Sequence, residues 1–435
     1  MREELRGLIS RTYFMQIAAL LMFGLALLMV MFSPLDWLSP SALLAGAWAF
    51  VYALQCLFGG DMQNSILATI VVFTMTLSFS TGELLSSIGN TPQLKSPGTD
   101  WKKPGHPPDM GNRSAARFRF VILLFACLAI IGDISYAKAM GMFSARSFAQ
   151  LLLMPGEARE MMYSGDLAVP AYAKAAVLFA YPGAVLAAAY YYIYRWRWLL
   201  ALPISSVVLF GVTQSGRAGI VIMLVQFILA MYLKGIIIQR RSPLMVIGRW
   251  AFVPAALLVF VFVGMGLLRE GFSSVSFDDV LRLLHKSRGY LFGGVSAFSY
   301  WINNIYDWHS PTLGKYSFSS LFGALGLAKR EVGTYAFYAP IAYDGETSNV
   351  YTAFRSFIDD YTIVGACLFY MLSGFVIGSF TRRVTAGRKI YVLVLIPLLS
   401  WVALSPLFSA TYFNSFLLSC FLPYFAVKMV KGAGA

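Results

Sequence analysis

The sequence predicts an all-α, polytopic membrane protein with about eleven transmembrane helices. Hydrophobic residues make up 58% of the 435 residues, charged residues make up only 12%, and the mean hydropathy is +0.68. A water-soluble protein of this length needs more charge to cover its core. The chain also contains repeated apolar runs of roughly the 20 residues that a membrane-spanning helix requires. A soluble globular fold is therefore excluded.

Eleven apolar runs are long enough to be spans, within a range of ten to twelve for the whole chain. They lie at 14–32, 38–58, 66–83, 118–136, 171–194, 198–213, 218–238, 249–268, 361–380, 390–408 and 411–428. The first run is longer than the core of a signal peptide, and no small-residue cleavage site follows it, so we interpret it as a retained span. We expect residues 1–435 to form one integral membrane domain.

Basic residues predict the orientation. The net charge is +14, and Lys and Arg cluster in short loops between apolar runs, which is the positive-inside pattern and not a nucleic-acid-binding surface. The loops near Arg195, 234–249, 382–389 and 428–431 fall on one side, which we assign to the cytoplasm. The polar segment 84–117 then forms a cytoplasmic loop. An odd number of spans places the basic N-terminus outside, against this rule, unless one of the first three runs does not span.

Two segments are predicted to lie on the periplasmic side: 137–170, and the long stretch 269–360 that precedes the last three helices. The second contains eight Lys and Arg residues and nine Asp and Glu residues, so it is nearly neutral, unlike the cytoplasmic loops. It contains a helical segment at 278–304 and an aromatic-rich segment at 316–351. A loop of this size usually carries function. We therefore expect much of the functional site here.

Arg217 is the most informative single residue, because it lies between two apolar runs at the external end of a predicted span. A charge so close to hydrocarbon is costly. Arg217 either snorkels from a helix end or binds an anion. Arginine suits the second role, since its planar, permanently charged guanidinium recognises phosphate or diphosphate through two parallel hydrogen bonds.

Two further clusters of charge lie within 269–360. In the first, Arg282, His285 and Lys286 share one face of the predicted helix, and Arg288 and Tyr290 follow. A solvated amphipathic face explains this cluster equally well. The second is the run Asp344-Gly345-Glu346-Thr347-Ser348-Asn349-Val350-Tyr351, continuing through Arg355 to Asp359-Asp360. It is either a helix cap with an interfacial aromatic anchor or a second binding cluster.

Missing motifs disfavour several catalytic classes. The chain contains no His-Glu-x-x-His, Walker, Gly-x-Ser-x-Gly or Cys-x-x-Cys sequence and only three histidines. The four cysteines lie in apolar runs and are interpreted as buried thiols. No acidic cluster resembles a magnesium-diphosphate site, so we predict neither a metal nor a cofactor. If the substrate carries a diphosphate, arginines must neutralise it.

Three groups of residues together resemble the Wzy-type polymerases of O-antigen and oligosaccharide repeat units in bacterial inner membranes. They are Ser215-Gly216-Arg217 at the start of an apolar helix, Ser287-Arg288-Gly289-Tyr290 with Gly293-Gly294 and Phe298, and Thr347-Ser348-Asn349-Val350-Tyr351-Thr352 before Asp360 and Gly365. The number of spans and the large loop before the last three helices also match. The resemblance extends over about 118–428.

This resemblance implies a metal-independent, GT-C-like glycosyltransferase that acts at the periplasmic face on undecaprenyl-diphosphate-linked oligosaccharides. The growing glycan would pass from its lipid carrier to the non-reducing sugar of an incoming lipid-linked unit. Arg217 would bind diphosphate, while Arg288 and Arg355 would position the donor and stabilise the leaving group. Other implied partners are membrane lipids and a chain-length-regulating co-polymerase, with no role for nucleic acid. Further candidates for substrate contact are Arg282, Tyr290, Asn349 and Tyr351, with Trp301, Trp308 and Tyr335 as aromatic platforms or loop core.

The base that would accept the hydroxyl proton is left open. Related O-antigen ligases tend to carry a His-Asn pair where this sequence has Ser348-Asn349, which disfavours ligase activity. The remaining catalytic candidates are Glu346, Asp359, Asp360 and Glu331, since a carboxylate in a suitable environment can act as a base. A flippase or transporter of the same glycan is an alternative, although we expect it to carry ionisable residues deeper in its spans than Glu83 and Asp133. A structural partner of an assembly complex would leave the arginine clusters unexplained.

Overall fold

The computed structural model describes most of the chain. The described residues are 2–33, 35–59, 62–88, 112–144, 169–194, 198–213, 217–239, 241–242, 245, 264, 276–291, 293–307, 310–327, 335, 337–342 and 345–432. Helices account for nearly all of their regular structure, so the all-α prediction is confirmed. The predicted functional residue Glu331 and the predicted platform Trp308 lie outside the described residues.

The described residues form thirteen α-helical segments and one short β-hairpin. The helices are α1 Arg2–Phe32, α2 Pro40–Phe58, α3 Ile66–Leu85, α4 Asn112–Ala139, α5 Ala171–Ile193 with a 3₁₀ turn at Val177–Phe179, α6 Ala201–Thr213, α7 Arg217–Leu233, α8 Phe277–Leu291, α9 Gly293–Asn304, α10 Ser319–Ala324, α11 Ala353–Thr385, α12 Val392–Leu404 and α13 Asn414–Gly432. The strands are β1 Ala339–Pro340 and β2 Thr347–Ser348, which pair in antiparallel orientation.

Ten of the eleven predicted spans coincide with apolar helices. Seven of these helices are long and apolar enough to cross a membrane, namely Phe14–Phe32, Pro40–Phe58, Ile66–Leu85, Ala115–Ala139, Ala171–Ile193, Arg217–Ile238 and Ala353–Thr385. Three shorter apolar helices are Trp198–Thr213, Lys389–Leu404 and Asn414–Val430. The predicted span 249–268 lies outside the described residues apart from Gly264. The predicted helix 278–304 is two helices, α8 and α9.

The chain divides into two compact units, and the expectation of one integral membrane domain stays a prediction. The first contains Met1–Pro92, His285–Ala386 and Trp401–Phe413. The second contains Gln93–Leu284, Gly387–Ser400 and Asn414–Ala435. Arg288, Glu346, Arg355, Asp359 and Asp360 therefore belong to the first unit.

In the first unit, α3 and α11 pack side by side because glycines remove side chains from their contact. A Cβ atom at Gly82 would overlap the carbonyl oxygen of Met371, and one at Gly374 would overlap that of Phe79. Gly378 extends this small-residue stripe one turn further, toward Glu83. Residue numbers rise in the same direction on both sides of this contact, because Gly374 meets Phe79 and Gly378 meets Glu83. The helices α3 and α11 therefore run parallel. Their C-terminal ends therefore lie at the same end of the unit, as the predicted cytoplasmic position of both ends requires.

A buried carboxylate joins three helices at this end. Glu83 is 1% exposed and accepts hydrogen bonds from Ser33 Oγ at 2.6 Å, Ser39 Oγ at 3.0 Å and Ser41 N at 2.7 Å. It thereby places negative charge at the N-terminus of α2, where the helix dipole favours it. The turn between α1 and α2 lies at the C-terminal end of α3, so α1 starts toward the opposite end of the unit.

The opposite end of the first unit carries the β-hairpin. Gln63 N, in the loop between α2 and α3, donates a hydrogen bond to Ile341 O at 2.9 Å, and Met62 forms a bridge with Ala342. The hairpin also lies on α9, where a Cβ atom at Gly293 would come within 2.8 Å of Ile341 Cδ1. Glycine at this position therefore allows the hairpin to approach the helix.

A kink divides α11 at Thr362, whose φ of 61° lies in the left-handed region. A β-branched residue is strained there, and such strain persists only where surrounding contacts impose it. The kink interrupts the helical hydrogen bonds, and the carbonyls of Asp359 and Asp360 instead accept bonds from Thr312 N and Leu313 N, both at 3.1 Å. The loop around 312 is thus attached to the first part of α11.

In the second unit, small residues and polar contacts hold α4, α5, α6, α7 and α13 together. A Cβ atom at Gly132 in α4 would come within 2.7 Å of Val177 N in α5. Ser415 Oγ of α13 donates to Leu178 O at 2.8 Å. Lys234 Nζ donates to Tyr194 O at 2.6 Å, at the C-terminal end of α5, where a cation is favoured.

Candidate functional site

Arg355 lies in the first turn of α11 and is only 6% exposed. Its guanidinium carbon is 3.5 Å from the centroid of the Tyr335 ring and 3.8 Å from that of Tyr351. These two rings are inclined at 75° to each other, and the Trp301 ring centroid is 5.0 Å away. The charge therefore lies in an aromatic corner, where cation–π attraction replaces part of the hydration that burial removes.

Only some of the N–H donors of the Arg355 guanidinium form hydrogen bonds with described residues of the protein. Its Nε donates to Asp359 Oδ2 at 3.3 Å, one helical turn away. Nη1 is buried and has no hydrogen-bond partner in the described part of the chain. A buried donor without a partner is unfavourable, and a guanidinium donor most of all. Thr352 Oγ1, in the same turn of chain, is also buried and has no partner among the described residues. An oxyanion bound at this helix N-terminus would satisfy both atoms.

The segment 335–351 builds the aromatic corner through its own contacts. Tyr351 Oη donates to Phe337 O at 3.1 Å, and Asn349 Nδ2 lies 3.5 Å from Tyr335 O. The Tyr316 ring stacks on the Tyr335 ring, and the two ring centroids are 5.2 Å apart. Burial raises the pKa of Tyr335 well above its ordinary value, and the nearby Asp359 charge acts in the same direction while Arg355 opposes it. The Tyr335 phenol is therefore neutral and does not act as the base.

The two neighbouring carboxylates of α11 have different surroundings. Asp360 is 0% exposed, and its Oδ1 accepts hydrogen bonds from Thr312 Oγ1 at 2.5 Å and Tyr316 N at 3.0 Å. Its Oδ2 accepts one from Ser317 N at 2.5 Å. Asp359 instead pairs with Arg355, and its side chain is 17% exposed. Asp360 therefore anchors the 312–317 loop, whereas Asp359 orients the arginine.

A second ion pair lies beside the hairpin. Arg288, in the last turn of α8, pairs with Glu346 at 3.3 Å, just before β2. The two side chains are 14% and 26% exposed, so the pair is shielded from water on most sides. Two of the three predicted charge clusters thus contribute a residue each to one ion pair. The segment 346–355 connects this pair to Arg355.

Other predicted residues lie elsewhere. Tyr290 is 37% exposed and Arg282 is exposed, so both present their side chains to the surroundings of the protein. Arg217 is half-buried at the start of α7. Arg217 and Arg282 belong to the second unit. Among the described residues, no group of three or more His, Cys, Asp or Glu side chains could hold a metal ion.

Sequence reasoning missed Thr312, Tyr316 and the kink at Thr362. The adjacent Asp359 and Asp360 were recognised as candidates, and the local signal that separates their roles is the spacing of four residues from Arg355 to Asp359. The partners of Asp360 are 43 to 48 positions away along the chain, whereas the partner of Asp359 is four positions away. The rest of the distinction depends on the 312–317 loop, which binds the carboxylate of Asp360 and leaves Asp359 on Arg355.

Comparison with known protein families, with curated proteins and with solved structures finds no match for this chain.

Proposed function

We propose that this protein is a metal-independent glycosyltransferase of the bacterial cytoplasmic membrane that polymerises lipid-linked oligosaccharide repeat units at the periplasmic face. The observation that carries the proposal is the buried Arg355 guanidinium with an unpartnered Nη1. A donor held this way is suited to a diphosphate oxygen at the end of a membrane helix. The sequence resemblance to Wzy-type polymerases supports the same activity and supplies the substrate class, a polyprenyl-diphosphate-linked oligosaccharide.

In the proposed reaction, a hydroxyl group on the non-reducing sugar of the incoming unit attacks the anomeric carbon of the growing glycan. The bond from that carbon to the diphosphate oxygen breaks, and the lipid diphosphate leaves with the electron pair. Arg355 stabilises the charge that develops on the leaving group, because its position is set before the reaction by Asp359 and the aromatic corner. No metal is needed for this charge stabilisation.

The hydroxyl proton passes to a carboxylate. Asp360 is poorly suited, since both of its oxygens already accept hydrogen bonds from the 312–317 loop. Glu346 and Asp359 are better suited, because each is partly exposed and makes one ion pair with an arginine. An arginine that shifts to the diphosphate would release its carboxylate for proton transfer. We therefore assign the base to one of these two residues.

The test is to incubate the purified protein in detergent with a lipid-linked repeat unit, without nucleotide or divalent metal, and to separate the products on a gel. The proposal predicts a ladder spaced by one repeat unit. Arg355→Ala should abolish the ladder. Arg383→Ala is the matched control, because Arg383 is exposed at the other end of the same helix and should be dispensable. An unchanged substrate with the wild-type protein would overturn the proposal.

A flippase or transporter of the same glycan is the second candidate. It is favoured by Glu83 and Asp133, which are 1% and 0% exposed within apolar helices and are thus more deeply enclosed than the sequence suggested. Ionisable residues inside spans are typical of transport pathways. Proteoliposomes separate the two activities, since a flippase moves the lipid-linked unit across the bilayer and leaves its length unchanged.

A further inference from the structure

Three carboxylates of the described chain are fully enclosed, and they differ in their hydrogen bonds. Glu83 and Asp360 each accept three, with both oxygens engaged. Asp133 accepts one, from Ser206 Oγ to Oδ2 at 2.8 Å. Its Oδ1 is buried and has no partner in the part of the chain that the structure describes. Three donors can compensate an ionised carboxylate for lost water, whereas one hydroxyl cannot.

Asp133 lies within the apolar helix α4, about six turns from its start and fewer than two turns from its end, and Ser206 lies within α6. Both residues are 0% exposed. Gly132 brings α4 so close to α5 that a Cβ atom would meet Val177, which leaves little space for water beside the carboxyl group. One turn further along α4, an apolar cluster covers this region. Its members are Tyr136, Met140, Val169, Ala173 and Val177, with Phe210 packed against them.

Cations do not compensate this carboxyl group within the described residues. On α4 the cation nearest to Asp133 in sequence is Lys138, and α5 carries Lys174; both side chains are exposed. No ion pair joins either lysine to Asp133. The α6 helix contains no charged residue at all, and Tyr136 is the nearest titratable group on α4 itself. Glu83 differs here too, because its carboxylate interacts electrostatically with the positive charge of Arg382.

We infer that Asp133 is a proton-binding site of the second unit. In the packed conformation the carboxyl group is neutral, with its proton on Oδ1 and its Oδ2 accepting the Ser206 hydroxyl hydrogen. An ionised carboxylate in this position would be buried with one neutral hydrogen bond, which is among the costliest arrangements in a membrane helix. Any movement that separates α4 from α6 and admits water therefore lets Asp133 exchange its proton with the solvent. This inference does not depend on the proposed polymerase activity.

The first experiment is infrared spectroscopy of the purified protein at neutral pH, since a carboxylic acid and a carboxylate absorb at separate frequencies. Subtracting the spectrum of Asp133→Asn from that of the wild type should show the loss of one carboxylic-acid C=O band. Glu83→Gln is the matched control and should show the loss of a carboxylate band. Loss of a carboxylate band in Asp133→Asn would overturn the inference, whether the charge is compensated by a bound monovalent cation or by water.

A second variant keeps the inference testable if Asp133→Asn does not fold. Ser206→Ala retains the carboxyl group and removes its hydrogen bond, so the acid C=O band should move to the higher frequency of an unbonded acid. If the Ser206→Ala spectrum differs from the wild type only in carboxylate bands, Asp133 is ionised and the inference is wrong. Thermal unfolding in detergent gives an independent check: the melting temperature should stay close to the wild-type value in Asp133→Asn and fall clearly in Glu83→Gln.

Discussion

The guanidinium carbon of Arg355 lies 3.5 Å from the centroid of the Tyr335 ring, although these residues belong to different segments of the chain. Tyr335 precedes the β-hairpin and Arg355 follows it at the start of α11. The hairpin thus returns the chain to the same place, and Tyr351 completes the corner from the other side of the hairpin. The position of the arginine therefore depends on aromatic residues that do not themselves carry charge.

This dependence predicts the effect of changing the ring. Tyr335→Phe keeps the aromatic face and should retain polymerisation close to the wild-type rate. Tyr335→Leu removes the cation–π attraction, about 1–2 kcal/mol in a desolvated site, which corresponds to a loss of roughly five- to thirtyfold. Initial rates of ladder formation over a range of substrate concentrations measure both variants. Equal rates for the two variants would mean that the ring does not position Arg355.

The two aspartates of α11 should respond differently to the same substitution. Asp360→Asn replaces an acceptor that faces backbone N–H donors by an amide group, which should lower the free energy of unfolding by about 2–4 kcal/mol. Asp359→Asn should leave the melting temperature nearly unchanged while it reduces polymerisation. Thermal unfolding and product ladders are measured on the same preparations. A stable but inactive Asp360→Asn would instead assign the catalytic role to Asp360.

The contact between α3 and α11 should not tolerate a methyl group. Gly82→Ala and Gly374→Ala each place a Cβ atom against a backbone carbonyl oxygen, so the helices must separate, at a cost of about 1–3 kcal/mol. Gly46→Ala in α2 is the matched control, because nothing lies within 4 Å of a Cβ atom there. Melting temperatures in detergent should fall for the first two variants alone. If the contact between α3 and α11 is only loosely packed, the melting temperatures of all three variants should equal that of the wild type.

The parallel arrangement of α3 and α11 predicts which loops share a side of the membrane. In a cysteine-free background, single cysteines at Ser87 and Gly387 should react with an impermeant reagent from one side. Cysteines at Asn64 and Gly345 should react from the other. Labelling of intact cells before and after permeabilisation measures this directly. If Ser87 and Gly387 became labelled from opposite sides, α1 to α3 would need a different topology.

Alkaline pH should destabilise the aromatic corner. Burial raises the pKa of both Tyr335 and Tyr351 above the ordinary value of about 10. Because the folded protein holds these phenol protons more tightly than the unfolded chain, their stabilising contribution is complete below that pH and is lost as the pH rises above it. The melting temperature should therefore decrease above about pH 10. Above this pH the melting temperature of Tyr335→Phe should fall less steeply with pH than that of the wild type. Identical slopes would mean that ionisation of Tyr335 does not cause the loss of stability.

Much of the membrane architecture can be predicted from the sequence. Apolar runs of sufficient length become helices wherever backbone groups have no water to bond with. Hydropathy alone therefore located the apolar portions of ten helices to within a few residues, apart from α11. That helix begins at Ala353, before the predicted span 361–380, because its polar first turns are enclosed by the hairpin and the 312–317 loop. Hydropathy cannot detect such enclosure.

The sequence by itself determined the fold class, the positions of ten apolar helices and the identity of the charged residues that need compensation, because these follow from composition and from the cost of burying charge. Tertiary structure alone decided what each charge does. Asp359 and Asp360 are adjacent, yet one orients Arg355 and the other anchors a loop; Glu83 and Asp133 both lie in apolar helices, yet one has three donors and the other one. Apart from the pair of Arg355 and Asp359, these differences arise from contacts between residues distant in the chain. A one-dimensional pattern does not contain the distances on which such hydrogen bonds and ion pairs depend.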